Sequence, residues 1–232
     1  MSDRIEDIHS VVQKHYGAVA SQSAGGVTAT STAKYFHNVA SAFGYNDDEI
    51  EELRGANLGL SCGNPIATSN LREGEVVVDL GSGAGMDIIL AAHKVGPTGR
   101  AIGIDMTADM IKLATENASK RGLVNVEFIH SKIESLPLPY DSVDCVISNC
   151  VLNLVPRDST QTVLKEVHRV LKRGGRVSIS DIVAKKALPE PVAQDAAAYV
   201  GCVAGAIDTV AYESHLINAG FEGKRALKSS YF

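Results

Sequence analysis

An α/β fold with a doubly wound, mostly parallel sheet is predicted by three observations. β-Branched apolar runs alternate with helical patterns from Glu75 onward, glycines close the helical segments, and a glycine-rich turn follows the first run. In chain order, "EVVVDLGSG" is the first strand running into its glycines, and "MDIILAAHKV" has helical periodicity stopped by Gly96-Pro97. "RAIGIDM" is the second strand. "TADMIKLATENASKRG" is a helix with Thr107 as N-cap and Gly122 at its end, and "VEFIH" is the third strand. "SVDCVISNC" is the fourth, "DSTQTVLKEVHRVLKRGG" a helix closed by two glycines, and "RVSISDIV" the fifth strand.

Two segments flank this unit. Residues 1–70 read as a cap, with a helical pattern over about 3–17 and the Gly/Ser/Thr/Ala-rich stretch "ASQSAGGVTATSTAKYF". A short helix at 47–53 and the loop "GANLGLSCGNP" follow, and the loop's turn-forming residues suit a cover over a site. Residues 71–186 form the sheet domain. Residues 187–232 read as two helices, the second ending at Gly220, and Glu222 to Phe232 leaves length for one short strand at about 3.3 Å per residue.

The length of 232 residues suits one main domain. A formal charge of −5, with 22 basic and 27 acidic residues spread along the chain, offers no Lys/Arg stripe for a phosphate backbone, so a nucleic-acid partner is not expected. The N-terminus "MSDRIEDIHSVVQKHYG" is polar, and no run approaches the ~18 apolar residues of a membrane span. A soluble cytoplasmic protein without a membrane partner is expected. The four cysteines, Cys62, Cys145, Cys150 and Cys202, include no C-x-x-C pair, which argues against a zinc site. In a reducing compartment they are expected as thiols, not disulfides.

"VVVDLGSGAGMDI" puts Gly81, Gly83 and Gly85 between a strand and a helix, where the backbone must turn tightly and admit a ligand closely. The spacing is G-x-G-x-G, and Met86 stands where a dinucleotide fingerprint wants glycine or alanine. Asp79 precedes the loop. Asp105 ends the second strand, 20 positions past Gly85, where an acid can accept hydrogen bonds from two ribose hydroxyls.

This combination resembles the S-adenosylmethionine (SAM) site of the Rossmann-like methyltransferases over about residues 70–183. The resemblance implies that the acid before the glycines faces the methionine end of SAM, the strand-end acid holds the ribose, and "SKIESLP" forms the adenine-side loop. The implied cofactor residues are Asp79, Gly81, Ser82, Gly83, Gly85, Asp105, Met106, Ile133, Glu134 and Asn149. "HYG" resembles an N-terminal lid segment and adds Tyr16.

Cys150 falls at the carboxyl end of the fourth strand, where ligands sit in such sheets. Cys145, five positions back, points to the other face and reads as a small buried hydrophobe. Cys62 lies in the glycine-rich loop. Cys202 lies in "AYVGCVAGA", read as a helix whose interior glycines cost about 1 kcal/mol each and so imply close approach of a backbone or a large soft atom. From the residues alone, Cys62, Cys150 and Cys202 read as structural.

"NLGLSCGNP", "DLGSGAGMD", "GIDMT", "SNCVLNLVP", "RVLKRGGRVSISD" and "YVGCVAGA", in this order, resemble the arsenite methyltransferases over about residues 55–206. The resemblance implies that Cys62, Cys150 and Cys202 bind arsenic(III) as catalytic and metalloid-ligating thiolates. The implied partners are arsenite, methylated trivalent arsenicals and a thiol reductant such as glutathione or thioredoxin, in arsenic detoxification. Arsenic(III) is soft, prefers sulfur and carries a lone pair opposite three ligands, so its methylation needs positioning rather than a base. Family members often carry further N-terminal cysteines, where this chain reads "SQSAGGVTATST", and their seven-stranded sheet needs two strands after Gly220. Two other functions share some of these features: methylation of a small organic acceptor such as a quinone or sterol, and non-catalytic sequestration of arsenic by the same thiols.

Overall fold

The structure, a computed structural model, describes residues 2–24, 30–186, 188–193 and 195–223. Four helices come first: α1 (Ser2–Ala24), α2 (Thr30–Ala42), α3 (Asp47–Glu52) and α4 (Pro65–Thr68). The sheet domain runs β1 (Val76–Leu80), α5 (Met86–Val95), β2 (Arg100–Asp105), α6 (Ala108–Lys120), β3 (Val126–His130), β4 (Val143–Asn149), α7 (Thr160–Val170) and β5 (Leu171–Ser180). The chain then forms α8 (Glu190–Ala193), α9 (Ala196–Val200) and α10 (Thr209–Asn218).

The five strands are parallel in the order β3-β2-β1-β4-β5, the doubly wound arrangement expected from the alternating pattern. The chain winds outward from β1 through β2 to β3, then returns to place β4 on the other side of β1. This leaves a crevice at the carboxyl ends of β1 and β4, where parallel sheets bind ligands. Alternation along the strands divides the core between the two faces. Val77, Ala101, Cys145 and Ile147 pack with Ile88, Ile89 and Ala92 of α5. Val78, Leu80, Ile102, Ile104 and Val146 pack with Val163, Leu164 and Val167 of α7. Cys145 is fully buried in the α5-side core, as its position in the strand predicts.

Four boundaries differ from the sequence reading. The first helix continues to Ala24, because Ala20 and Val19 pack on Leu58, Ala84, Met110 and Leu113. The Ser/Thr/Ala-rich segment also forms α2, whose Ala40 is buried against Tyr45 and Leu53. The helix before the last strand ends at Val170 instead of at the glycines. "LKRGG" joins β5 through a register shift against β4, with Gly174 at φ 77 and the Lys172 ammonium on Asp144. Among the described residues the tail holds three helices, not two, and Cys202 lies in the turn after α9.

Gly201 caps α9, and Gly205 lies so close to Asn153 that a Cβ there would stand 1.8 Å from its carbonyl oxygen. The close backbone approach implied by those glycines is real, but it occurs in a turn. The short strand expected after Glu222 falls on residues outside those described. No helix among the described residues is long and apolar enough to cross a membrane.

Candidate active site

A pocket opens at the crevice between β1 and β4. Gly81, Ser82, Gly83 and Ala84 of the turn after β1 form its floor, whereas Gly85, also expected there, packs toward Phe128 and Ala114; Gly81, Gly83 and Gly85 take φ of 64, 52 and 88, left-handed values that a side chain disfavours. A Cβ on Gly81 would also stand 2.5 Å from Val151. Asp105, at the end of β2, fixes this turn. One carboxylate oxygen accepts the Gly83 amide at 3.0 Å and the other the Thr107 amide at 2.8 Å. Asp105 itself lines the pocket.

Asp79 is buried, with Oδ1 unpartnered, and the Ser82 hydroxyl beside it is also buried without a partner. Buried polar atoms are rarely left unpaired, so these two mark where a ligand completes the structure. Burial, together with the negative charges of Asp87 and Asp105, pushes the Asp79 carboxyl well above the carboxylate range. Burial also raises Asp87 and Asp105, although hydrogen bonds to Tyr45 and Asn149 oppose this at Asp87, and backbone amides oppose it at Asp105. Two buried acids, Asp79 and Asp87, and the partly buried Asp105 beside one pocket favour a cationic ligand, whose charge would hold them ionised. A sulfonium with an α-ammonium group meets that demand, so these residues fit SAM.

The opposite wall joins a loop of the sheet domain to helix α1. Ile133 and Glu134, after β3, line the pocket, and Glu134 Oε1 lies 2.7 Å from His9 Nε2 of α1. Two further residues of α1 reach across: Gln13 donates to the Met106 carbonyl at 2.8 Å and the Tyr16 hydroxyl to the Val200 carbonyl at 3.1 Å. Burial and the neighbouring Cys202 push the Tyr16 hydroxyl upward. Met106 and Tyr16 thus both line the pocket, as expected. The sequence reading missed His9 and Gln13, whose only signal is their i, i+4, i+7 spacing with Tyr16 on one helical face.

Cys150 also lines the pocket, and Cys62 and Cys202 converge on it, with the three sulfurs all within 4.8 Å of one another. Cys150 and Cys202 are buried against Val12, Leu154 and Tyr199, and Cys62 is partly buried beside them. Cys150 and Cys202 take φ of 61 and 62, a left-handed conformation rare for non-glycine residues. Such strain persists where the surroundings over-determine it, and it concentrates at functional sites. The Cys202 thiol donates to the Cys150 carbonyl at 3.0 Å. Asn153 holds the Cys202 turn through its carbonyl at 3.2 Å. Burial and the nearby negative charge of Asp181 push the Cys202 thiol up to about 12, so it carries its proton until a soft ion displaces it.

One expectation is corrected. Cys62 and Cys150 are joined in a disulfide, their Cα atoms 5.6 Å apart, while Cys145 and Cys202 are free. The fold brings two segments 88 positions apart into bridging range, which composition and compartment could not reveal. Asn149, assigned to the cofactor by resemblance, does line the pocket. Its amide, however, is engaged with the loop that carries Cys62: Oδ1 accepts the Cys62 amide at 3.0 Å, and Nδ2 donates to the Gly63 carbonyl at 3.0 Å.

A methyltransferase-domain family matches residues 71–228. The chain is 48% identical over 180 residues to an arsenite methyltransferase of Halobacterium salinarum, covering 77% of this chain and 46% of that one. It is 36% identical over 213 residues to an arsenite methyltransferase of Mus musculus, covering 87% and 54%. The crystal structure of an arsenic(III) S-adenosylmethionine methyltransferase from Chlamydomonas reinhardtii superposes with a TM-score of 0.64 at 33% identity, covering 78% of this chain and 61% of that one. The chain spans about half the length of the curated relatives it matches.

Proposed function

Because this chain belongs to the methyltransferase-domain family, we propose that it transfers the methyl group of SAM to trivalent arsenic held by Cys62, Cys150 and Cys202. The observation that carries this reading is the convergence of three sulfurs, from three separate segments, beside a pocket whose acids await a cation. Similarity to arsenite methyltransferases supports the same substrate. Asp79, Ser82, the glycine turn and Asp105 would hold SAM, with Ile133 and Glu134 flanking its adenine. When bound, SAM supplies a sulfonium methyl group that passes to a nucleophile's lone pair.

The protein's own groups do the rest by position. Arsenite binds by ligand exchange: each thiol forms an arsenic–sulfur bond, and its proton leaves with a hydroxyl as water, so no separate base is needed. Cys62 and Cys150 enter that exchange only after reduction. A thiol reductant such as glutathione or thioredoxin passes two electrons and two protons to the pair and is itself oxidised to a disulfide. Val12, Leu154 and Tyr199 then surround the sulfurs with apolar surface that excludes water. A cytoplasmic setting, which keeps such a reductant available, and a role in arsenic detoxification complete the proposal.

The test is to measure both ligands on one reduced protein. Calorimetry should give stoichiometric SAM binding, and arsenite should titrate three thiols per chain. Cys150→Ser should abolish the arsenite response and spare SAM binding. Arsenite binding without SAM binding would instead indicate a sequestering protein, and SAM binding with no thiol response would indicate an organic acceptor.

A further inference from the structure

Next to the thiols lies a buried hydrogen-bonded chain whose link to the Cys62 loop the steps above do not use. Tyr45, 2% exposed, donates its hydroxyl to Asp87 Oδ1 at 2.7 Å. Asp87 Oδ2 accepts from Asn149 Nδ2 at 3.1 Å. The Asn149 amide then brackets Cys62, accepting from its N–H and donating to the carbonyl of Gly63. Asn149 immediately precedes Cys150 in the chain. One side chain therefore ties the Cys62 backbone to the residue beside the second thiol, and Asp87 determines which way its amide faces.

This tie matters once the disulfide opens. Residues 55–64 form a glycine-rich loop, with Gly55 and Gly59 at φ of 84 and 68, and such a loop gains much conformational entropy when released. A third sulfur on a loose loop is a poor ligand, because its effective concentration at the arsenic falls. We propose that the Tyr45–Asp87–Asn149 chain is a positioning device that sets which arsenical the site accepts, holding the Cys62 sulfur at the arsenic after the disulfide is reduced. Inorganic arsenite has three exchangeable positions and requires that third sulfur. Methylarsonous acid has two and is held by Cys150 and Cys202 alone. The device therefore acts on the first substrate and leaves the second indifferent, and it rests on the arsenic reading above.

The experiment compares the parent with Tyr45→Phe and Asp87→Asn in the full chain, reduced with a phosphine. X-ray absorption should count three sulfurs on arsenic in the parent and two in each variant. Loss of a hydrogen bond to a charged group should lower the ratio of arsenite to methylarsonous acid methylation by roughly tenfold or more. SAM affinity in Tyr45→Phe should stay at the parent value. Three sulfurs with an unchanged ratio would overturn the proposal, as would an equal fall on both substrates, since general support of the fold would then explain the chain. A parent that binds arsenic through no sulfur would overturn the arsenic reading itself and this device with it.

Discussion

Cys150 and Cys202 adopt a backbone conformation that their side chains disfavour, and they do so within one cluster of sulfurs. Two such residues meeting by chance in an otherwise relaxed core is a poor explanation, and a shared ligand is a better one. If arsenic is that ligand, replacing any one cysteine with serine substitutes a hard, protonated oxygen for a soft sulfur. Cys150→Ser and Cys202→Ser should lose methylation of both arsenite and methylarsonous acid. Cys62→Ser should lose only the first, as product assays on both substrates would show. Cys145→Ala, which removes a sulfur from the α5-side core, should keep both activities at a small stability cost. Asp105→Ala should weaken SAM binding by about 1.5–3 kcal/mol for each charged hydrogen bond lost, while arsenite still binds the thiols; calorimetry reads both. The strand-end position of Cys150 and the burial of Cys145 were legible in the sequence, because period-two alternation specifies them. The Cys62–Cys150 pairing and the left-handed backbones were not, since no local pattern encodes contacts across 88 positions.

At the scale of elements, helix starts were easier to read than helix ends. Thr107 stands at the N-cap position of α6 as the sequence predicts, although its side chain caps no amide, whereas Asn46 forms a full capping box with Glu49 at α3. The end of α7 was misplaced because "LKRGG" carries helix-closing glycines, whereas Lys172 is drawn to Asp144 across the sheet. The Cys202 turn was misread as helix because its small residues suit either state, and the deciding partner, Asn153, lies elsewhere in the chain. Gly205→Ala should cost about 1–3 kcal/mol by forcing that turn off Asn153, and arsenite affinity should fall with it, as denaturation and thiol titration would show. A pH effect belongs to the contact between β5 and α10. There Tyr212 donates to Asp181 Oδ2 while Oδ1 stays buried and unpaired, and burial raises the Asp181 carboxyl from 3.8 to about 7. Between those values the unfolded chain loses the proton that the folded protein keeps, so this group's contribution to stability falls as pH rises from about 4 to 7 and then levels off. The full effect would be about 4 kcal/mol, less the part screened by the residue's partial solvent access. Asp181→Asn should remove that slope in chemical denaturation measured across the same range.

For the molecule as a whole, the doubly wound parallel sheet was legible in the alternation of strands and helices, while the strand order, and the crevice at its β1/β4 reversal, came from the structure. Composition could not show how α1 closes that crevice. His9, Gln13 and Tyr16 send single side chains to the loop after β3, the end of β2 and the end of α9, joining the SAM end of the pocket to the thiol end. The central claim is that a methyl donor bound over the glycine turn faces arsenic bound by the three sulfurs. Its most direct test is to incubate the reduced protein with arsenite, a thiol reductant and SAM carrying an isotopic label in its methyl group, then to separate the arsenic species. Labelled methylarsenical should form with the parent and disappear with Cys150→Ser. Unmethylated arsenite as the sole arsenic species, from a folded protein that binds SAM, would contradict the account.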